Sequence, residues 1–271
     1  MADFSISKPG PRRFDGLAGV DIVAGRVAGT SVVHKFGQNV AVGTTLVPIA
    51  LGGVYPMMQV AGAVTLRVKA GGNANDTAAG TGAREVTLIG LDETGAEVSE
   101  TVATAGASAS SATSATFTRL YRAYVSAAGA YPTTAVSSHD ADIVIEDSGG
   151  AGDWATLDWI AAAEGHGQTQ IACYSVPLGK TAYLKSALVQ VDSTRAVTVE
   201  LYQRQNLLET AAPFSAKRIV VEFAALTATV ALNPTTPLGP FPALTDLFWM
   251  GRVATSTGGV TIDFELIIED A

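Results

Sequence analysis

The sequence predicts an all-β fold of two β-sandwich or jelly-roll-like modules behind an extended N-terminal arm. Three observations lead there. Val197, Val199 and Leu201 alternate with Thr198, Glu200 and Tyr202, the period of a strand with one face inward. Similar runs recur at roughly 8–12-residue spacing between turn residues, the pattern of antiparallel sandwiches and barrels. Of the 271 residues 48% are hydrophobic, only 15% are charged and 28 are glycine, which suits short strands, small-residue turns and a surface partly covered by neighbouring subunits.

Residues 1–40 read as the arm, because Pro9, Pro11 and Gly10, Gly16, Gly19, Gly25 and Gly29 interrupt every long element. Lys8, Arg12 and Arg13 form a small basic cluster that either contacts an acidic surface or is a solvated terminus. His34-Lys35-Phe36-Gly37-Gln38-Asn39 closes the arm as a turn. Residues 41–147 form the first module. Its strands are expected at 44–51, at 54–60 (Pro56 marking an edge or bulge) and around Val64, Leu66 and Val68. A loop of small residues fills 70–82. Residues 84–104 read as a hairpin, since Asp92-Glu93-Thr94-Gly95 has the Asp and Gly that a type I turn favours. Val98 and Val102 then face the core, and Glu97, Ser99 and Thr101 face water. Residues 103–116, nearly all Ala, Ser, Thr and Gly, read as a long exposed loop or weak strand. Strands follow at 117–125 and 141–146.

Residues 148–167 read as a linker, since 147–153 hold three Gly and two Asp. Residues 154–164 form a short helix or an irregular aromatic patch. The second module occupies 168–271. It opens with a short strand at Tyr174, a Pro177–Gly179 corner, a strand to Val191 and another over 197–203. Further strands are expected at 219–223, 227–232, 245–253 and 260–268. Pro234, Pro237, Pro240 and Pro242 exclude a helix between them.

The formal net charge is −8 and the pI about 4.8, with no basic stripe, so neither nucleic acid nor membrane is an expected partner. No apolar run reaches the length of a bilayer span, and no signal peptide is visible, so a soluble chain made in a reducing cytoplasm is expected. The single cysteine, Cys173, lies in an apolar run and reads as a buried structural thiol. His34, His139 and His166 are too dispersed for a zinc site, and His139 reads as a loop histidine capping backbone groups. The loops at 71–76 and 147–153 lack calcium-loop spacing, and 80–84 lacks the Lys-Ser/Thr pair of a phosphate loop. Glu200, Glu222, Asp263 and Glu265 occupy polar phases of their strands, so no carboxylate pair of a glycosidase is expected. No catalytic residue, metal or cofactor is assigned. Trp154 and Trp159 are the candidate interface aromatics for subunit or carbohydrate contact, with core anchoring the commoner use of such rings.

Three stretches carry a resemblance. His34–Asn39 followed by Gly52-Gly53-Val54-Tyr55-Pro56, the hairpin Val86–Glu97, and Val176-Pro177-Leu178-Gly179-Lys180-Thr181-Ala182-Tyr183 resemble virion structural proteins of short-tailed bacteriophages. The resemblance implies a non-enzymatic capsid decoration, or cement, protein in the virion. Its partners would be the major capsid protein and further copies of itself, for instance as a trimer. Capsid contact would then fall on Lys8, Arg12, Arg13, Phe14, Lys35 and Phe36. Two other functions stay open: a tail or fibre component binding a host-surface glycan, and a glycan depolymerase.

Overall fold

Antiparallel strands make up most of the computed structural model, which describes residues 18–51, 62–129, 138–160, 164–192 and 195–271. The chain enters through a short helix, α1 (Ala18–Val23), then β1 (Thr30–Val42) and β2 (Val47–Pro48). The central stretch supplies β3 (Leu66–Val68), β4 (Ala83–Leu91), β5 (Glu97–Ala103), β6 (Arg119–Ala128), β7 (Ile143–Asp147), β8 (Asp153–Leu157), β9 (Trp159–Ile160) and β10 (Glu164–Gly165). The remainder supplies β11 (Cys173–Ser175), β12 (Lys180–Val191), β13 (Val197–Arg204), β14 (Arg218–Leu226), β15 (Val230–Leu232), β16 (Leu238–Phe241), β17 (Asp246–Val253) and β18 (Gly258–Asp270).

The described strands fall into small antiparallel sheets. One five-stranded sheet runs β1-β18-β12, with β15 and β16 both on the far edge of β12; a second runs β11-β17-β13-β14, with β2 also on β17. Two three-stranded sheets, β3-β7-β8 and β5-β4-β6, come from the central stretch, and β9-β10 is a two-stranded ribbon. The class is all-β, but this division is not the pair of four-stranded sheets of a jelly roll. β18 shows the predicted alternation: Val260, Ile262, Phe264, Leu266 and Ile268 are all buried. Trp249 of β17 meets Phe264 of β18 at 6.3 Å between ring centroids and lies parallel to Phe223 of β14 at 6.4 Å. One buried cluster runs from Leu88 and Ile145 of the central sheets to Trp249 and Phe264, so the two expected modules share a core.

Three expectations change. β1, assigned to the arm and its closing turn, is a thirteen-residue strand paired along its length with β18, Thr30 opposite Glu269 and Phe36 opposite Asp263. Its inward phase, Lys35, Gly37 and Asn39, is polar or lacks a side chain, which hid the strand from an apolar count. The supposed linker begins as the turn of the β7–β8 hairpin, closed by Asp147 N–H to Gly152 C=O at 3.0 Å. Residues 153–157 are its second strand rather than a helix or irregular patch. Glu200 is buried, not solvated, and accepts a hydrogen bond from the Tyr202 hydroxyl. Burial and this carboxylate push the Tyr202 hydroxyl up to about 12. The strand expected at 54–60 lies outside the described residues.

The hairpin at 84–104 is as predicted, with Leu91 opposite Glu97. The Asp92 carboxylate accepts N–H bonds from Thr94 and Ala96 at 2.8 and 3.0 Å, and against a desolvation cost these bonds hold its pKa below the usual carboxylate range. The Ser/Thr-rich loop that follows is less exposed than expected. Thr113 and Ser110 hydroxyls accept the backbone N–H groups of Leu66 and Val68, each at 2.9 Å, so the loop satisfies β3 in place of a neighbouring strand.

Candidate functional site

In an antiparallel strand each residue sends its N–H and C=O to the same side, and sides alternate along the chain. Asp270 N–H bonds Gly29 C=O at 2.8 Å, whereas Gln38 N–H turns the other way, to Gln170 C=O at 3.5 Å. The odd-numbered residues of β1 therefore serve β18, and Val32, His34 and Phe36 turn their backbone groups outward. Gly37 permits the approach near Gln38, because a methyl there would overlap the backbone of Ala172.

The segment 167–172 that touches β1 at this point is held on its other side by β6. Thr169 N–H bonds Ala123 C=O, and Val125 N–H bonds Gly167 C=O, both at 2.8 Å; Ala123 N–H reaches the Thr169 hydroxyl at 2.9 Å. From Gln38 toward Val32 the two edges splay apart. Between them lies a cleft of about 650 Å³ lined by Val32, Val33, His34, Lys35, Phe36, Arg122, Gln168 and Thr169. That volume is within the range of ligand sites.

Lys35 is its least ordinary member. It is 7% exposed, its ammonium donates to the backbone carbonyl of Tyr121, and Nζ lies 5.5 Å from the centre of that ring. Burial lowers its pKa to about 8, with Cys173 opposing the shift and Arg122 adding to it. The Tyr121 hydroxyl donates to the Glu97 carboxylate, and burial raises both Tyr121 and its ring neighbour Tyr174. Arg122 is exposed, bonds the Gln168 amide oxygen at 3.2 Å and lies 5.2 Å from the Tyr124 ring centre. His34 pairs with Asp263 on β18 at 2.5 Å. The arrangement offers strand-edge donors and acceptors beside cationic groups.

Of the capsid-contact residues expected from sequence, Lys35 and Phe36 come together in this cleft; Lys8, Arg12, Arg13 and Phe14 lie outside the described residues. Lys35 itself is too buried to reach across a flat interface. Trp154 is 2% exposed in β8 and belongs to the core, so it is not an interface aromatic, while Trp159 is half-buried in β9 with its backbone N–H on the Asp142 carboxylate at 2.7 Å. Cys173 is buried as expected. His139 is fully buried, bonds the Asp158 carbonyl at 3.1 Å, and has its pKa lowered by burial, in keeping with a backbone-capping role. The loop at 71–76 closes on Asp76, whose carboxylate accepts the N–H groups of Ala83 and Asp140 at 2.8 and 3.1 Å. Among the described residues no cluster of His, Cys, Asp and Glu is placed to hold a metal.

No protein-family model, curated protein or solved structure matches this chain. Val32, Val33, His34, Arg122, Gln168 and Thr169 are the cleft residues that sequence reading did not assign to a site. Arg122 had one signal, a cation inside the aromatic strand Leu120-Tyr121-Arg122-Ala123-Tyr124; Gln168 and Thr169 had none.

Proposed function

We propose that the chain is a non-enzymatic assembly protein that joins a neighbour through the open edge of β1. The observation that carries this reading is the row Val32, His34 and Phe36, whose outward backbone groups have no strand partner among the described residues and face the cleft. An unpaired edge is a template for another strand unless something blocks it. The resemblance to virion structural proteins of short-tailed bacteriophages supplies the setting: a capsid decoration protein, made in the host cytoplasm and carried in the virion. It would bind across neighbouring major capsid subunits and associate with its own copies. In this reading the two five-stranded sheets, joined by Trp249 against Phe264, act as a sandwich-like body that carries the docking edge. The buried Trp154 removes one of the two rings on which glycan binding would have rested.

Co-sedimentation with empty heads of a short-tailed phage tests the reading. The full chain should pellet with the heads, and Val32→Pro, which deletes one outward N–H without touching the β18 ladder, should not. A full chain that stays in the supernatant overturns the reading. Deleting residues 1–40 is the wrong control, because it removes β1 from its sheet; residues 1–17 are the segment to delete.

A further inference from the structure

Resting on that reading of the β1 edge, the geometry points to its occupant: an extended, acidic peptide segment of a partner protein. This segment pairs its backbone with Val32, His34 and Phe36 and turns its carboxylates toward Arg122 and Lys35.

The backbone sets the shape of the ligand. Three alternate residues present N–H and C=O groups in a row, and same-side groups along a strand recur at roughly 6.5–7 Å. A compact ion satisfies one of them; a strand satisfies all. The splay between β1 and segment 167–172 provides the room, since Gln38 N–H to Gln170 C=O is the one backbone hydrogen bond between these edges among the described residues.

The lining sets the charge. Among the described residues it contains His34, Lys35 and Arg122 and no Asp or Glu, in a chain of net charge −8. His34 already has Asp263. Lys35 faces the Tyr121 carbonyl and ring, and Arg122 faces the Gln168 amide and the Tyr124 ring, so the hydrogen-bond and ring partners described for them are neutral. Carboxylates on the incoming strand would supply the missing anions, and charge-assisted bonds of this kind are the stronger class. Val32, Val33 and Phe36 offer apolar contact for the intervening side chains. This is strand addition, with main-chain bonds giving affinity and side chains giving selection.

The test uses the full chain and a fluorescent peptide that alternates Glu and Val, read by anisotropy at low salt. Binding should be saturable and should weaken as salt rises. The same peptide with Lys in place of Glu should not bind, nor should the Glu peptide N-methylated at alternate amides. Arg122→Glu, an exposed substitution, should weaken binding by about tenfold or more. Val32→Pro should do the same, and if that variant fails to fold, the N-methylated peptide tests the same bonds from the other side. Absence of binding by the Glu peptide, equal binding by the Lys peptide, or indifference to Arg122→Glu overturns the inference. Heads that still co-sediment while the peptide fails leave the assembly reading standing without this occupant. Peptide binding without head binding removes the capsid setting and keeps the occupant.

Discussion

The guanidinium of Arg119 meets the carboxylate of Asp246 at 3.0 Å, with both side chains withdrawn from solvent and the two residues 127 positions apart in sequence. Arg119 also donates to the carbonyls of Thr118 and Leu207 at 2.8 and 3.2 Å, and the Ser175 hydroxyl donates to Asp246 at 2.6 Å. The network fastens β6 of the central sheets to β17 of the outer ones. Removing one partner of such a pair strands a buried charge, whereas removing both can be nearly neutral. Asp246→Ala should therefore cost about 3–5 kcal/mol. Urea denaturation should show a lower midpoint, and Arg119→Met added to a Leu at 246 should recover most of the loss.

Lys35 should give the fold a measurable alkaline signature. Unfolded, its ammonium titrates at the ordinary lysine value of 10.5, and folded at about 8. Below pH 8 both states are charged and the full burial cost is present. Between the two values only the unfolded state holds the proton, so stability rises with pH, by roughly 3 kcal/mol in all. Chemical denaturation of wild type and Lys35→Met at pH 7 and pH 10 isolates this effect, because Cys173, Arg122 and the tyrosines are common to both. The stability difference should move in favour of wild type as pH rises; a difference constant with pH would contradict the burial.

Gly37→Ala should be far worse than a surface glycine change. The new methyl would overlap the backbone of Ala172, whereas one at Gly43 would meet nothing. Overpacking of this kind costs about 1–3 kcal/mol or more. Gly43→Ala should stay within about 0.5 kcal/mol of wild type. Thermal melts of the two variants provide the comparison, and Gly37→Ala should also lose whatever binds the adjacent cleft.

The two tryptophans of β8 and β9 should separate cleanly. Trp154→Ala removes a ring that is 2% exposed and should cost about 3–5 kcal/mol. Half-buried Trp159 should cost clearly less when truncated. Equal losses in denaturant titrations would place both rings in the core.

The strands that sequence revealed are those whose inward phase is aliphatic. β18 alternates five large apolar residues with polar ones, and β12, β13 and the 84–104 hairpin follow from alternation and turn chemistry. β1 broke the rule because its inward positions are Lys35, Gly37 and Asn39, each satisfied by a partner distant in sequence or by close backbone packing. The β7–β8 turn misled for a related reason: Asp and Gly mark hairpin turns and linkers alike. Of the eight described residues that line the cleft, Lys35 and Phe36 were in view. Val32, Val33 and His34 were read into an arm rather than an edge strand, and Arg122 with Gln168 and Thr169 depends on bringing β6 and segment 167–172 against β1, a tertiary event that no local pattern encodes.

Thr30 lies opposite Glu269, and that pairing governs the order in which the molecule can be completed. On the ribosome β1 emerges long before its hydrogen-bonding partner has been translated. The β4–β5 hairpin can close from neighbouring residues as soon as it is outside the tunnel, while the outer sheet must await β18. Such distant pairing makes for slow maturation and leaves a nascent chain with a strand bare on both sides.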